Sequence, residues 1–245
     1  MKPLVIYFSP TGGTENVAKL IAAELGAESV DVTVFDYGMS FGPDDLVFFC
    51  FPVYGGRIPS PMYSRMRNVS GQGSSAVPVA VFGNRAVDDA LIEMSDLCKK
   101  QGFKTVAACE MIAPHSLDRH YGAGRPDARD IAQLKQFLKK LADMTSFAEI
   151  SVPGSHDYKK YDGVPFRPSS GKDCTGCGTC AAECPTGAID PSDPMNPDKS
   201  KCISCMRCVS VCPSKVRKLP APMRLAASVA LRKLCSGRKE PKFYL

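Results

Sequence analysis

Eight cysteines crowded between positions 174 and 212 constrain this chain more than any other feature. Cys174, Cys177, Cys180 and Cys184 precede Pro185, and the same spacing returns 28 residues later as Cys202, Cys205, Cys208 and Cys212 before Pro213. The block is therefore an internal repeat. A disulfide framework is not expected, because the apolar run from Leu4 to Phe8 is too short for a secretory signal, and thiols in the cytoplasm stay free unless metal or catalysis uses them. No stretch of the sequence approaches membrane-spanning length. Two structural zinc sites are the plain alternative. Zinc motifs, however, usually separate two CxxC knuckles by a longer spacer and have no use for a third close cysteine, a fourth, and a proline after it.

The run C-x2-C-x2-C-x3-C-P resembles that of bacterial ferredoxins, in which three close thiolates take one cluster and the fourth cysteine reaches the other. The resemblance implies two 4Fe-4S clusters. By that rule Cys174, Cys177, Cys180 and Cys212 hold one, and Cys202, Cys205, Cys208 and Cys184 hold the other. Thr175, Gly176, Gly178 and Thr179 let backbone amides crowd the sulfurs, which helps set the potential. Cys50, Cys98 and Cys109 sit in apolar patterns and read as small buried hydrophobes, while Cys235 stays unassigned.

Charge divides the chain in the same way. Residues 1–150 carry 15 basic and 17 acidic side chains, and residues 213–245 carry 9 and 1. A basic excess confined to a tail is not the footprint of a nucleic-acid-binding domain, so no nucleic-acid partner is expected. Residues 151–172 are rich in Pro, Gly and Ser. The expected organisation is a domain at 1–150, a linker at 151–172, a two-cluster domain at 173–216 and a basic tail at 217–245. Met223 to Cys235 reads as a helix that packs on the rest, with Arg224 and Arg232 outward. Peripheral contact of this tail with an acidic redox partner or an anionic membrane surface is the other use of its charge.

Hydrophobic patterning of the first part alternates strand and helix. Pro3 to Phe8, the alternating stretch around Val30, Val32 and Val34, Leu46 to Val53, Ala76 to Phe82 and Thr105 to Ile112 read as five strands. Val17, Leu20, Ile21 and Leu25 share one helical face, as do Val87, Leu91, Met94 and Cys98, and again Ile131, Leu134, Leu138 and Leu141. The fold class is α/β, a doubly wound five-stranded parallel sheet followed by a small α+β ferredoxin-like domain; a ligand site is expected beyond the carboxyl ends of the strands. Gly71 to Ala76 fits G-x-G-x-x-A but precedes a strand, so it indicates no dinucleotide.

Three loops fall at those carboxyl ends. Ser9, Thr11, Gly12, Gly13 and Thr14 bring hydroxyls and glycines to a helix N-terminus, where free N-H groups and the helix dipole suit a phosphate dianion. An ordinary helix cap is the plain alternative. Pro52, Val53, Tyr54, Gly55 and Gly56 offer an aromatic ring and mobile glycine peptides to a planar ligand, and Gly83, Asn84 and Arg85 form the third loop. Together these loops resemble the flavodoxin superfamily. Ser9, Thr11, Gly12 and Thr14 match its Ser/Thr-x-Thr-Gly-x-Thr phosphate loop, and the other two loops stand where its flavin-ring loops follow strands three and four. The resemblance implies FMN. Arg85 would then stand near the edge of the ring that gains negative charge on reduction, with Arg57 in the other ring loop and with Asp88 and Asp89 engaged at the next helix N-terminus. Ala113 to Ser116 would close the rim.

The whole chain resembles the flavodoxin-ferredoxin fusion proteins of anaerobic prokaryotes. The Gly171-Lys172-Asp173 stretch and the stretch Ala123 to Asp127 also look like that family. It implies an electron-transfer protein that relays electrons between FMN and two 4Fe-4S clusters in the cytoplasm, with redox proteins as partners. A flavin-dependent reductase of a small molecule, fed by the clusters, is the alternative, although no acid-base constellation stands beside the flavin loops and no catalytic residue is assigned. A redox-sensing module is a third reading.

Overall fold

The computed structural model describes residues 2–245. In chain order the elements are β1 (Lys2–Tyr7), α1 (Gly13–Leu25), β2 (Glu28–Asp31), β3 (Met39–Ser40), β4 (Asp45–Pro52), α2 (Ser60–Met66), β5 (Val69–Ser70), β6 (Ser75–Phe82), α3 (Ala90–Lys100), β7 (Lys104–Thr105), β8 (Ala108–Ile112) and α4 (Ala128–Ala142). The cysteine-rich part adds two one-turn helices, α5 (Thr179–Ala182) and α6 (Arg207–Ser210). The tail adds α7 (Ala221–Leu234) and β9 (Lys242–Tyr244).

The main sheet runs β2-β1-β4-β6-β8-β9, with β7 also on β6. Its first five positions are parallel, the doubly wound order in which the chain reverses direction at β1 and β4. Alternate residues of the same strand feed opposite faces, as the two-residue period of a strand requires. Phe49 and Phe51 of β4 pack with Met62 and Met66 of α2 and Leu91 and Met94 of α3. Phe48 and Cys50 pack with Val17 and Ile21 of α1 and Leu134 and Leu138 of α4. Cys50 and Cys109 lie in the second of these cores and Cys98 in the first, all three fully buried, and burial raises their thiols. They act as the small hydrophobes expected.

Three details differ from the sequence reading. The second strand ends at Asp31, because Thr33 turns its Oγ1 to accept the Ser9 N-H at 2.8 Å instead of continuing the ladder. The fifth is broken into β7 and β8. The sheet also gains a sixth position from the far end of the chain, where β9 lies antiparallel to β8 with Cys109 opposite Phe243. Phe243 stacks 5.1 Å from Phe137, and Tyr244 donates to Glu110 at 2.7 Å. The basic tail is thus helix and edge strand together. Within it α7 buries Ala227 and Leu231, Cys235 just past its end continues the four-residue spacing, and Leu225 and Val229 stay exposed.

Residues 151–172 form no regular element but are tied down. Val152 enters the first core, the N-H groups of Ser155 and Lys159 donate to Asp89 at 2.9 and 2.8 Å, and the Arg57 guanidinium lies 4.8 Å over the Tyr158 ring.

Candidate functional site

The loop after β1 forms the floor of the first site. Gly12 adopts φ +84° just before α1, a left-handed conformation that favours glycine, and Ser9 Oγ accepts the Glu15 N-H at 2.8 Å. Ser9, Pro10 and Thr14 are buried. Gly13 is packed so closely that an added Cβ would fall 2.9 Å from Ala113 Cβ. This loop joins Pro52 at the end of β4, Val53 and Tyr54 beyond it, Gly83 after β6, and Ala113, Pro114, His115 and Ser116 after β8 around one cavity. The loop after β8 therefore closes the rim, as its position in the sequence suggests.

The remaining residues of the expected ring loops point elsewhere. A Cβ on Gly55 would strike the Tyr161 ring, and one on Gly56 would strike Asp88. Both glycines thus permit close protein contacts. Asn84, at φ +61°, is buried and donates its Nδ2 to the carbonyls of Cys235 and Gly237 at 2.7 and 2.8 Å, fastening the tail to the third loop.

Arg85 pairs with Asp88, which also receives Lys159 at 2.7 Å. Burial opposes ionisation of Asp88, yet the hydrogen bonds from Arg85 and Lys159 outweigh it and hold the carboxyl below its ordinary range. Arg57 is likewise spoken for, since Glu93 accepts from its Nε at 2.8 Å and from its Nη2 at 2.5 Å. The expectation that Asp88 and Asp89 serve the N-terminus of the next helix is corrected. Asp89 precedes α3 without a side-chain cap and binds the linker instead, and Asp88 binds two cations. His115 covers Gly83, where a Cβ would meet its ring at 2.5 Å; burial lowers the imidazole to about 4.

The cysteine runs surround two further cavities. One is lined by Cys174, Cys177, Cys180 and Cys212, the other by Cys184, Cys202, Cys205 and Cys208. In each, three cysteines of one run meet the fourth of the other, and α5 and α6 carry Cys180 and Cys208. No three donor side chains among the described residues converge tightly enough for a single metal ion. Thiols arrayed around a cavity match a group larger than an ion. The positive φ of Gly176, Gly178, Ser204 and Met206 bends the two loops around these cavities. Cys177 is exposed, whereas Cys205 is buried and raised by that burial to about 12.

The second quartet faces the first site. Arg207 of α6 donates to the Pro10 carbonyl at 3.4 Å, Arg65 donates to the Pro185 carbonyl at 3.2 Å, and Ile203 packs against the first core. A groove between the two parts is lined by Tyr54, Tyr63, Tyr158 and Tyr161 on one side and by Cys202 and Ile203 on the other. Burial, then the nearby Cys205 thiol and Tyr161, push the Tyr54 phenol well above its ordinary range. Tyr161 and Arg207 carried no signal in the sequence, because both act through neighbours distant in the chain.

These features define an α/β protein with a loop of glycines and hydroxyls at a helix N-terminus, beside one cavity, and two four-cysteine cavities. Residues 5–133 match the flavodoxin family model and residues 173–217 the 4Fe-4S dicluster domain model, and the chain belongs to the flavodoxin family. Its cofactors are FMN and two 4Fe-4S clusters. Over 47 residues it is 43% identical to one component of the ion-translocating oxidoreductase complex of Methanosarcina acetivorans, a match covering 19% of this chain and only 18% of that relative. Among solved structures, a Streptococcus pneumoniae TIGR4 flavodoxin is similar at 16% identity and TM-score 0.43, over 58% of this chain and 98% of its own. Flavodoxin 2 of Bacillus cereus is similar at 16% identity and TM-score 0.42, with the same coverages. No helix among the described residues is long and apolar enough to cross a membrane.

Proposed function

We propose that this protein relays electrons between FMN and two 4Fe-4S clusters. FMN exchanges electrons singly or in pairs, and each cluster exchanges one at a time. In this reading Ser9, Thr11, Gly12, Gly13 and Thr14 hold the phosphate through backbone N-H groups and hydroxyls at the start of α1. The segment Pro52 to Gly56 and Gly83 border the ring, with Tyr54 offering its face; Asn84 and Arg85, their side chains engaged elsewhere, contribute backbone. Cys174, Cys177, Cys180 and Cys212 hold one cluster, and Cys184, Cys202, Cys205 and Cys208 the other.

The observation that carries this reading is the packing of the second cysteine quartet against the flavin loops, through Arg207 on Pro10 and the groove shared by Tyr54 and Cys202. It implies an order. Cys184, Cys202, Cys205 and Cys208 would hold the cluster on the flavin side, and Cys174, Cys177, Cys180 and Cys212, with Cys177 exposed, would hold the one on the side open to a redox partner. The loops provide no acid-base pair aimed into the cavity, and His115, held neutral by burial, is not poised as one at neutral pH. The small-molecule reductase is accordingly the lesser reading.

Anaerobic purification with counts of iron, sulfide and flavin tests the assignment. About eight iron atoms and one FMN per chain are expected. Stoichiometric zinc would overturn the cluster assignment, and turnover of a small molecule without any partner protein would favour the reductase.

A further inference from the structure

Arg217 follows the second cysteine run and is only 2% exposed. Its Nη1 donates to Ser170 Oγ at 2.7 Å and to the Pro194 carbonyl at 2.6 Å, and lies 3.6 Å from Cys180 Sγ. Its Nε and Nη2 are buried with no hydrogen-bond partner among the described residues. A guanidinium stays charged at any pH the fold survives, and a buried charged donor without an acceptor is costly. Such donors point to an acceptor that is not a protein group.

The place of the side chain says which acceptor. Arg217 lines the cavity of Cys174, Cys177, Cys180 and Cys212, and it also lines that of Cys184, Cys202, Cys205 and Cys208. It stands in the wall common to both. An unmet cation between two sites that each gain one negative charge on reduction is placed to offset both charges.

We propose that Arg217 is a shared tuning residue of the two clusters, its Nε-H and Nη2-H donating to cluster sulfur and its charge raising both potentials together. This rests on the cluster assignment above. Each cluster takes up one electron from its donor without bond rearrangement, and Arg217 keeps all its protons throughout. It alters the energy of the two reduced states and takes no part in the chemistry.

Redox titration of the intact, anaerobically purified chain, followed by paramagnetic resonance, tests the proposal. In Arg217→Gln the ratio of reduced to oxidised cluster at a fixed potential should fall about tenfold for both clusters, a downward shift of about 59 mV for one-electron steps. Arg217→Lys keeps the charge and loses the planar donor set, so both clusters should shift in the same direction by less. Should Arg217→Gln fail to assemble, Arg217→Lys carries the test alone. Wild-type potentials in an assembled variant, or a shift in one cluster only, would overturn the proposal while leaving the cluster assignment standing. Wild-type chain without iron would instead overturn the assignment itself.

Discussion

Arg207 donates from Nη1 to the carbonyl of Pro10 at 3.4 Å, which ties the cluster-bearing part of the chain to the loop after β1. The same guanidinium is steadied by Glu183, which accepts from its Nε at 3.0 Å. The bond is long and the pair partly exposed, so Arg207→Ala should cost only about 1 kcal/mol of docking. That corresponds to roughly fivefold faster amide exchange in residues 9–16, with iron content unchanged. Exchange at the wild-type rate would show that the contact does not hold the two parts together.

Asp88 neutralises Arg85 and Lys159 beside the expected ring loops. Asp88→Asn would leave two uncompensated cations there. Full reduction of the flavin adds negative charge, so its potential should rise by about 1 kcal/mol, roughly 40 mV for a one-electron step. Arg85→Ala should shift it the opposite way. Redox titration with FMN retained checks both signs, and equal potentials in the two variants would remove these residues from any tuning role.

The two cavities cross-connect the cysteine runs, with Cys184 standing among Cys202, Cys205 and Cys208. Cys184→Ala should therefore first damage the cluster of the later run, although Cys184 belongs to the earlier one. Paramagnetic resonance of the reduced variant distinguishes the outcomes. Selective loss of the signal from the Cys174, Cys177 and Cys180 cluster would reject the cross-ligation.

Burial lowers His115 to about 4, so the folded chain resists a proton that the unfolded chain accepts near pH 6.5. The unfolded state binds more protons in that interval. Stability should therefore fall as the pH drops from about 6.5 to about 4, by roughly 2 kcal/mol after allowing for partial exposure. The difference between wild type and His115→Gln isolates this contribution from carboxylates titrating in the same window. Parallel unfolding curves for the two proteins across that range would show that His115 is not the group responsible.

Local pattern determined much of this molecule. The spacing of Val17, Leu20, Ile21 and Leu25 specifies α1, the apolar runs specify strands buried on both faces, and the twinned cysteine spacing specifies two four-thiol cavities. Each of these signals lies within a few dozen residues, because helical period, strand burial and ligand spacing are local demands on the chain. The loop after β1 is legible for the same reason, since glycine at φ +84° and the hydroxyls about it serve one helix start.

Long-range pairing lay beyond such patterns. β9 is three residues long and finds β8 more than a hundred positions away, and Asn84 bonds the carbonyls of Cys235 and Gly237 across a similar separation. Nothing in Lys242-Phe243-Tyr244 marks a sheet edge until Glu110 and Phe137 supply its partners. Charges behaved in the same way. Asp88, Asp89, Arg57 and Arg85 read as helix-end and flavin-edge groups; Arg85 pairs locally with Asp88, but tertiary packing gave Asp88, Asp89 and Arg57 partners in Lys159, Ser155 and Glu93 that the intervening sequence does not reveal. Arg217 is the sharpest case, because its charge is visible in the sequence but its place between the two cavities exists only once both cysteine runs have folded around it.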